Sequence, residues 1–371
     1  MTSVLISGAG IAGPALAYWL RRHGFEPTVV ERAPGLRAGG QAVDVRGVAL
    51  EVVDRMGLAA PLREARTRMR GMSVLDGDGT ELMRSTETAR SSGRLDSPDV
   101  EVLREDLVEL LYARTRDDVE YRFGDSVSEL TQTGAGVEVR FETGERRGFD
   151  LVVGADGLHS TVRRLAFGPE QPYVHHLGMY VAVFTTENLL ELDNWQVWFQ
   201  DPASGVGGAV MSARDNTQLR VYLGFGAAPL TYDRRDPDQQ RQLLADRLTG
   251  LRWEVPRLLK AMWSAPDFYF DQVAQVRMPT WSQGRVSLLG DAGYAPALLS
   301  GQGTSLGLVG AYVLAEELGR PGADHLAAFH RYERRMRPFV DVNQALATEN
   351  PGAGPAEESV ERAKNAIVLD A

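Results

Sequence analysis

Apolar runs, glycine turns and helical periodicity alternate at the start of the chain. Val4 to Ser7 is an apolar run that meets a glycine cluster, and Ala15 to Arg22 has the spacing of a helix that Gly24 closes. A second β-rich run, Thr28 to Glu31, follows directly. This order of strand, glycine turn, helix and strand predicts a βαβ unit with parallel strands.

The pattern changes between Gly178 and Gly226. Several β-rich runs are separated there by turn residues, and no helical period lies between them, which predicts an antiparallel sheet. Elsewhere the periodicity predicts helices at Glu101 to Arg114, at Thr304 to Leu318 and at Leu326 to Ala345. The chain is therefore expected to have an α/β fold with a β-rich insertion.

Length and charge restrict the class of protein. A chain of 371 residues is long for one core and suits two closely packed units. The net charge of -10 would repel nucleic acid and anionic lipid surfaces, so neither is an expected partner. The longest apolar stretch, around Leu306 to Leu314, is too short to span a bilayer. The absence of cysteine excludes disulfides and thiolate chemistry and suits a reducing cytoplasm, where we expect the protein to work.

The first motif is Gly8-x-Gly10-x-x-Gly13, where the first strand turns into the first helix. Gly8 permits the tight turn, Gly10 lets the backbone approach a pyrophosphate, and Gly13 lets helix and strand pack closely. Glu31 ends the next strand, near the spacing expected for a carboxylate that binds a ribose hydroxyl. The combination predicts a dinucleotide site, whereas the glycines alone could be a turn without function.

Two later motifs carry further candidate chemistry. In VVGADGLHSTVRR an apolar strand runs into Asp156 and Gly157, with Arg163 close behind, which suits a nucleotide chain. The alternative is a strand-to-helix turn that Asp156 caps. In the segment that ends in GDAGYAPALLSGQGTSLGL, Asp291 follows a strand and could bind a ribose or ribitol hydroxyl, and Gly301 to Thr304 open a helix whose amides would stabilise negative charge.

These three motifs, in this order, resemble the group A flavoprotein monooxygenases, which include para-hydroxybenzoate hydroxylase and the tetracycline-inactivating monooxygenases. The resemblance covers about residues 1 to 345. It implies a Rossmann-like FAD-binding domain, an inserted antiparallel β-sheet substrate domain and a C-terminal helix. We expect the first domain at residues 1–71, 103–170 and 276–345, the second at 72–102 and 171–275, and a tail at 346–371 that the stretch from Asn350 to Pro355 predicts to be loose.

The resemblance also implies FAD, with NAD(P)H and dioxygen as co-substrates, and hydroxylation of an aromatic or polyketide-like molecule through a flavin C4a-hydroperoxide. Arg104 matches the arginine that binds the flavin's phosphate-ribose chain. The chain departs from the family at Tyr294, where histidine is usual, and at Gly310, where aspartate is common. The residues assigned to the cofactor are Gly8, Gly10, Ala12, Gly13, Glu31, Arg32, Arg46, Arg104, Asp156, Asp291, Gly301, Gln302, Gly303 and Thr304.

Candidates for a substrate wall lie in the β-rich insertion. Strand alternation puts Trp198 on the same face as Gln196 and opposite Val197, so at most one of these sets lines a pocket. We select Trp198, Met211 and Tyr222, although aromatic residues in such strands are often plain core. Arg46 matches a position that borders flavin and substrate in relatives, and its alternative is a surface arginine paired to Asp44.

Other functions are weighed against hydroxylation. The flavin performs the chemistry, so no catalytic acid or base is assigned, and the six histidines lack metal-ligand spacing. The segment from Asn194 to Trp198 lacks the Trp-x-Trp-x-Ile-Pro motif of flavin halogenases. A non-hydroxylating flavin oxidoreductase and a flavin-bound protein that sequesters its ligand remain alternatives. The enzyme is expected to be a monomer or a homodimer.

Overall fold

The fold is described by a computed structural model over residues 1–322, 324–350 and 354–370. The strands of these residues are β1 (Ser3–Ser7), β2 (Glu26–Glu31), β3 (Ala42–Val45), β4 (Gly71–Leu75), β5 (Glu81–Ser85), β6 (Thr88–Ala89), β7 (Gly93–Arg94), β8 (Val100–Leu103), β9 (Glu120–Phe123), β10 (Val127–Gln132), β11 (Val137–Phe141), β12 (Arg146–Phe149), β13 (Leu151–Gly154), β14 (Val174–Glu187), β15 (Trp195–Asp201), β16 (Val206–Ala213), β17 (Gln218–Gly226), β18 (Tyr269–Val276), β19 (Ser282–Gln283) and β20 (Val286–Leu288). The α-helices are α1 (Ala12–Arg22), α2 (Val48–Arg55), α3 (Ala59–Glu64), α4 (Arg104–Ala113), α5 (Thr161–Phe167), α6 (Pro237–Leu248), α7 (Val255–Met262), α8 (Asp291–Tyr294), α9 (Gly303–Gly319), α10 (His325–Ala345) and α11 (Glu357–Lys364).

A largely parallel sheet forms the first layer, with strand order β19-β20-β13-β1-β2-β9. β1 pairs in parallel with β2 and with β13, and β20 continues the parallel pairing beyond β13. Val4, Leu5 and Ile6 of β1 are fully buried, as in strands that are covered on both faces. α1 and α9 pack together over this sheet within the larger of two apolar cores. The predicted Rossmann-like unit is confirmed.

A second sheet has the order β18-β14-β17-β16-β15-β4-β5. Its pairs are antiparallel except for β15 with β4. One face packs with α6 and α7 in a separate apolar core that includes Val197 and Phe199. The α/β fold with an inserted antiparallel sheet is thus confirmed.

Two expectations for local structure are wrong. Glu101 does not begin a helix, because Val100–Leu103 pairs with β3 as strand β8 and α4 starts only at Arg104. Nor is the whole tail loose, since α11 packs on α10 and the Lys364 ammonium donates to Asp99 at 2.8 Å. Of the predicted loose stretch, residues 351–353 lie outside the described residues.

Membrane insertion through a helix finds no support in the part of the chain described here. None of its helices is both long enough and apolar enough to cross a bilayer.

Candidate active site

A large cavity of about 1880 Å³ lies between the two sheets. Its lining includes Gly8 after β1, Glu31 at the end of β2, Ala155 after β13 and Gly290 after β20. Ligands of parallel α/β sheets bind at this edge, beyond the carboxyl ends of the strands. The opposite wall is formed by β15, β16 and β17 of the antiparallel sheet.

The glycine-rich turn has the backbone geometry that the motif predicts. Gly8 has a φ of +109°, and a Cβ there would lie 2.4 Å from the carbonyl oxygen of Ala155. A Cβ on Gly13 would lie 1.9 Å from the carbonyl oxygen of Gly8, so α1 reaches β1 only because Gly13 has no side chain. Gly10 and Ala12 line the cavity at the start of α1, whereas Gly13 is buried behind the turn.

Glu31 holds the loops beside this turn. Its carboxylate accepts hydrogen bonds from the backbone N–H groups of Ala9 and Ala33, each at 2.9 Å. Each carboxylate oxygen can accept a further bond, and Glu31 and Arg32 both line the cavity. Glu31 thus stands where it fixes the turn and still faces the cavity.

Arg104, at the start of α4, brings a positive charge into the same end of the cavity. Its Nη1 is buried and has no hydrogen-bond partner among the described residues. Burial and the charge of Arg37 lower the pKa of Arg104 to about 10. A Cβ on Gly10 would stand 3.8 Å from Arg104 Nη2, so the guanidinium lies beside the glycine turn. A buried cation in this position suits an anionic ligand.

The Asp156 segment behaves as a capped turn. The Asp156 carboxylate accepts from the backbone N–H groups of Thr161 at 2.8 Å and Val162 at 3.1 Å, and from the hydroxyl of Ser160. Asp156 therefore caps the strand-to-helix turn, which was the alternative to nucleotide binding, although it also lines the cavity. Arg163 is fully buried, where it donates to the carbonyl oxygens of Ala292 and Leu158, so it does not reach the cavity.

The third motif supplies the floor of the cavity. Asp291 faces the cavity and has solvent-accessible surface there. Because protein surrounds its carboxylate closely, desolvation raises the pKa of Asp291, and the charge of Arg104 offsets only part of this increase. Gly301, Gly303 and Thr304 also line the cavity where α9 begins. Gln302 differs, because it is fully buried away from the lining and its side-chain amide has no hydrogen-bond partner among the described residues.

Arg46 connects this floor to the substrate end. Its guanidinium lies close to Gly301 and donates to Asp44 at 2.9 Å and to the carbonyl oxygen of Ser91 at 2.7 Å. The alternative role for Arg46 was a surface arginine paired to Asp44. The pairing is present, but Arg46 is buried rather than on the surface. Burial, together with the charge of Glu101, outweighs the effect of Arg46 and raises the pKa of Asp44 to about 7.

Trp198, Met211 and Tyr222 all line the far wall of the cavity. The Tyr222 hydroxyl accepts from the backbone N–H of Ala42 at 2.8 Å and approaches the Met211 sulfur at 3.8 Å. Gln196 also lines the cavity, on the same strand face as Trp198. Phe199 of the other strand face also lines the cavity, near the end of β15, and strand parity alone could have added Gln196 to the candidates.

The two departures from the family pattern are structurally linked. The Tyr294 hydroxyl forms a 2.8 Å hydrogen bond with Tyr332, and both side chains are buried. A Cβ on Gly310 would lie 2.2 Å from the Tyr294 hydroxyl oxygen. Tyrosine at 294 thus occupies space that a side chain at 310 would need, and its ring packs in the core away from the cavity lining.

The sequence interpretation missed a polar cluster around His159, which lines the cavity together with Tyr269 and Asp271. The His159 ring contacts Glu170 at 3.0 Å through Nδ1 and Asp271 at 2.9 Å through Nε2, and Tyr269 donates to Asp271 at 3.1 Å. Burial alone would lower the pKa of His159, but the hydrogen bonds with the two carboxylates raise it overall. Because Asp271 lies on β18 and His159 follows β13, the cluster joins the two sheets, and no local motif could reveal it.

The residues at the parallel-sheet end suit FAD. The turn at Gly8 and the close packing at Gly13 bring Gly10 and the start of α1 to the cavity, where a pyrophosphate could bind, and Arg104 offers a guanidinium whose buried Nη1 has no hydrogen-bond partner among the described residues. The cavity continues past Asp291 to an aromatic wall, beyond the reach of the nucleotide motifs. Fold and site together define a dinucleotide-binding flavoprotein with a second ligand compartment.

Comparison with known proteins extends this conclusion. The model of a family described as FAD binding domain matches residues 1–342, and the chain belongs to that family. A flavin-dependent monooxygenase of Legionella longbeachae is 40% identical over 341 residues, which are 92% of this chain and 86% of that protein. An uncharacterized protein of Mycobacterium tuberculosis is 51% identical over 371 residues, covering 100% of this chain and 99% of its own.

A solved structure agrees with these relatives. The crystal structure of tetracycline destructase Tet(51) superposes with a TM-score of 0.88 at 35% identity, covering 100% of both chains. The predicted membership of the flavoprotein monooxygenases is confirmed. The protein is an FAD-dependent monooxygenase, and hence an oxidoreductase.

Proposed function

We propose that the enzyme uses NAD(P)H and dioxygen to hydroxylate an aromatic or polyketide-like small molecule. Bound FAD supplies the redox chemistry, by accepting reducing equivalents from the nicotinamide and activating dioxygen. The chain's own residues bind the cofactor, orient the substrate and exclude water. In this proposal no side chain acts as a catalytic acid or base.

One observation carries the proposal: the nucleotide end and the aromatic wall belong to the same cavity. Pockets for one drug-sized ligand occupy about 300–1,000 Å³. The cavity here has about 1880 Å³, which leaves room for a dinucleotide and a second organic molecule together. Such an arrangement suits transfer of an oxygen atom from one ligand to the other.

At the nucleotide end, the start of α1 and the Arg104 guanidinium would hold the pyrophosphate of FAD. Glu31 would accept a ribose hydroxyl with its remaining lone pairs, and Asp291 a ribitol hydroxyl. The backbone amides at the start of α9, with Arg46 beside Gly301, would stabilise the negative charge of the reduced flavin. The full set proposed for the cofactor also includes eight residues that line the cavity, namely Gly8, Gly10, Ala12, Arg32, Asp156, Gly301, Gly303 and Thr304, and two that would support the cofactor site from behind the lining, Gly13 and Gln302.

At the other end, Trp198, Met211 and Tyr222 would contact the substrate. Their apolar surfaces favour a ring system, and they leave little room for water beside the reacting atoms. The name of the tetracycline destructase with the similar fold is consistent with a fused-ring polyketide as one candidate. We further propose that the enzyme works in the cytoplasm as a monomer or homodimer.

NADPH oxidation measured with and without candidate ligands tests this function. The panel contains simple phenols, quinones and tetracycline, each added to the FAD-loaded enzyme in air. We expect slow oxidation by the enzyme alone and faster oxidation with a fitting ligand, because a productive ligand completes the site. A ligand that binds without changing NADPH oxidation, across the whole panel, would favour the flavin-bound sequestering protein instead.

A further inference from the structure

A chain of hydrogen bonds leads from the aromatic wall of the cavity, through Gln196 and Ser91 in the lining, to Glu101 outside it. The Trp198 indole N–H donates to Gln196 Oε1 at 3.1 Å, and Gln196 Nε2 donates to the Ser91 hydroxyl. Ser91 in turn donates to Glu101 Oε2, and Thr67 donates to the other carboxylate oxygen at 2.5 Å. The chain crosses three parts of the fold: β15, the turn between β6 and β7, and β8.

The direction of each bond follows from the chemistry of its groups. An indole N–H can only donate, so the oxygen of the Gln196 amide must face Trp198 and its NH2 group must face Ser91. The Ser91 hydroxyl receives that bond, so its own proton points to Glu101. The orientation of the indole therefore depends on an acceptor three hydrogen bonds away, at Glu101.

Burial limits the hydrogen-bond partners that Gln196 and Glu101 can find outside this chain. Gln196 is 1% exposed and Glu101 is 6% exposed, so water offers them few alternative partners. Arg46 donates to the Ser91 carbonyl oxygen at 2.7 Å and fixes the backbone of the turn from the flavin side. The Arg90 guanidinium lies 5.3 Å from the centroid of the Trp198 ring. The indole is thus held at its N–H edge and covered on one face.

We propose that Glu101 and Ser91 are positioning residues that fix the plane of the Trp198 indole through Gln196. The proposal rests on the proposed function in one respect, namely that Trp198 contacts the substrate. A wall held in a single orientation selects planar, rigid ring systems, because a flexible or bulky ligand could not displace the indole without breaking the chain of bonds. Specificity at this wall then depends in part on Glu101, which lies outside the cavity lining.

Fluorine NMR of the FAD-loaded enzyme labelled with 5-fluorotryptophan tests the proposal without any substrate. The chain has six tryptophans, and the Trp198 resonance is assigned by its loss in Trp198→Phe. Ser91→Ala and Glu101→Leu should each move or broaden this resonance, while the other five report that the protein remains folded. Glu101→Gln retains an acceptor oxygen for Ser91 and should return the resonance to its wild-type position.

A double variant and a matched control complete the test. Ser91→Ala combined with Glu101→Leu should shift the Trp198 resonance no further than Ser91→Ala alone, because both break the same chain. Ser287→Ala removes another buried hydroxyl, on β20, and should leave the resonance unchanged. The proposal is overturned if Ser91→Ala leaves the resonance in place, if Glu101→Gln moves it as far as Glu101→Leu, or if the two shifts add. None of these outcomes depends on NADPH oxidation, so failure here is distinguishable from failure of the proposed function.

Discussion

The two ends of the cavity are built in different ways. The nucleotide end is formed by short segments that follow β1, β2, β13 and β20, and its geometry is set by backbone and by glycines. The substrate end is assembled by side-chain hydrogen bonds between distant segments, such as Ser91 with Gln196 and Tyr222 with Ala42. The first end therefore tolerates few changes of backbone, whereas the second can be retuned one side chain at a time.

The largest effect is expected at the nucleotide end, for Gly13→Ala. The added Cβ would lie 1.9 Å from the Gly8 carbonyl oxygen, so α1 and β1 must separate and the turn must distort. Overpacking of this kind costs about 1–3 kcal/mol or more of stability, and we expect FAD binding to be lost. Flavin content after purification measures the effect. Gly148→Ala is the control, because its Cβ meets nothing within 4 Å, and equal flavin content in both variants would contradict the assignment.

Glu31→Ala should weaken FAD binding without abolishing the fold. Loss of the carboxylate removes the bonds to Ala9 and Ala33 and the proposed bond to ribose, worth about 1–3 kcal/mol, or roughly 5- to 150-fold in the dissociation constant. Titration of the flavin-free protein with FAD gives this constant. Glu26→Ala, at the exposed start of the same strand, should bind FAD as the wild type does. An unchanged constant for Glu31→Ala would argue against its role.

At the substrate end, Trp198→Ala should change the fate of oxygen rather than the binding of FAD. Removing the indole opens the wall to water, so hydrogen peroxide released per NADPH oxidised should rise several-fold in the presence of a productive ligand. Met211→Ala should act in the same direction. Trp263→Ala removes a tryptophan that is 46% exposed outside the cavity and serves as the control. Equal peroxide yields in all four proteins would remove Trp198 and Met211 from the site.

The smallest effect concerns the His159 cluster between the two sheets. Because its carboxylate partners raise the pKa of His159, the folded state binds a proton more tightly than the unfolded state does. The resulting stability is fully present below the unfolded pKa of about 6.5 and is lost as pH rises through the folded pKa. The difference in melting temperature between wild type and His159→Gln should therefore shrink as pH rises.

The exposed His330 provides the comparison for this measurement, since His330→Gln should show no such trend. A difference for His159→Gln that stays constant with pH would mean that folding leaves the pKa of His159 unchanged, and a difference that grows as pH rises would mean that the folded protein holds the histidine in its neutral form. The groups facing His159 are Glu170, Asp271 and Arg234, together with Tyr269. The hydrogen bond from His159 lowers the pKa of Glu170, so the comparison is made above about pH 5, where this carboxylate is ionised in both proteins.

The same contrast explains what the sequence could predict. Glycine spacing and a carboxylate at a strand end report local backbone geometry, so the parallel sheet, Glu31 and the turn at Gly8 were predictable. Strand parity also placed Gln196 and Trp198 on one face of β15, and both line the cavity. The roles of Ser91 and Glu101 were not predictable, because they follow from contacts between segments far apart in the chain. Glu101 was even placed in a helix, since the charged residues from Arg104 to Asp106 that follow it resemble a helix start more than the end of a buried strand.

The fate of oxygen atoms tests the central claim, that both ends of the cavity serve one monooxygenase reaction. The FAD-loaded enzyme is supplied with NADPH, the panel ligand that most accelerates NADPH oxidation, and isotopically labelled dioxygen. The account predicts a product heavier by one labelled oxygen atom. Label found only in hydrogen peroxide or water, with the ligand recovered unchanged, would contradict it and assign the enzyme to non-hydroxylating flavin oxidoreductases.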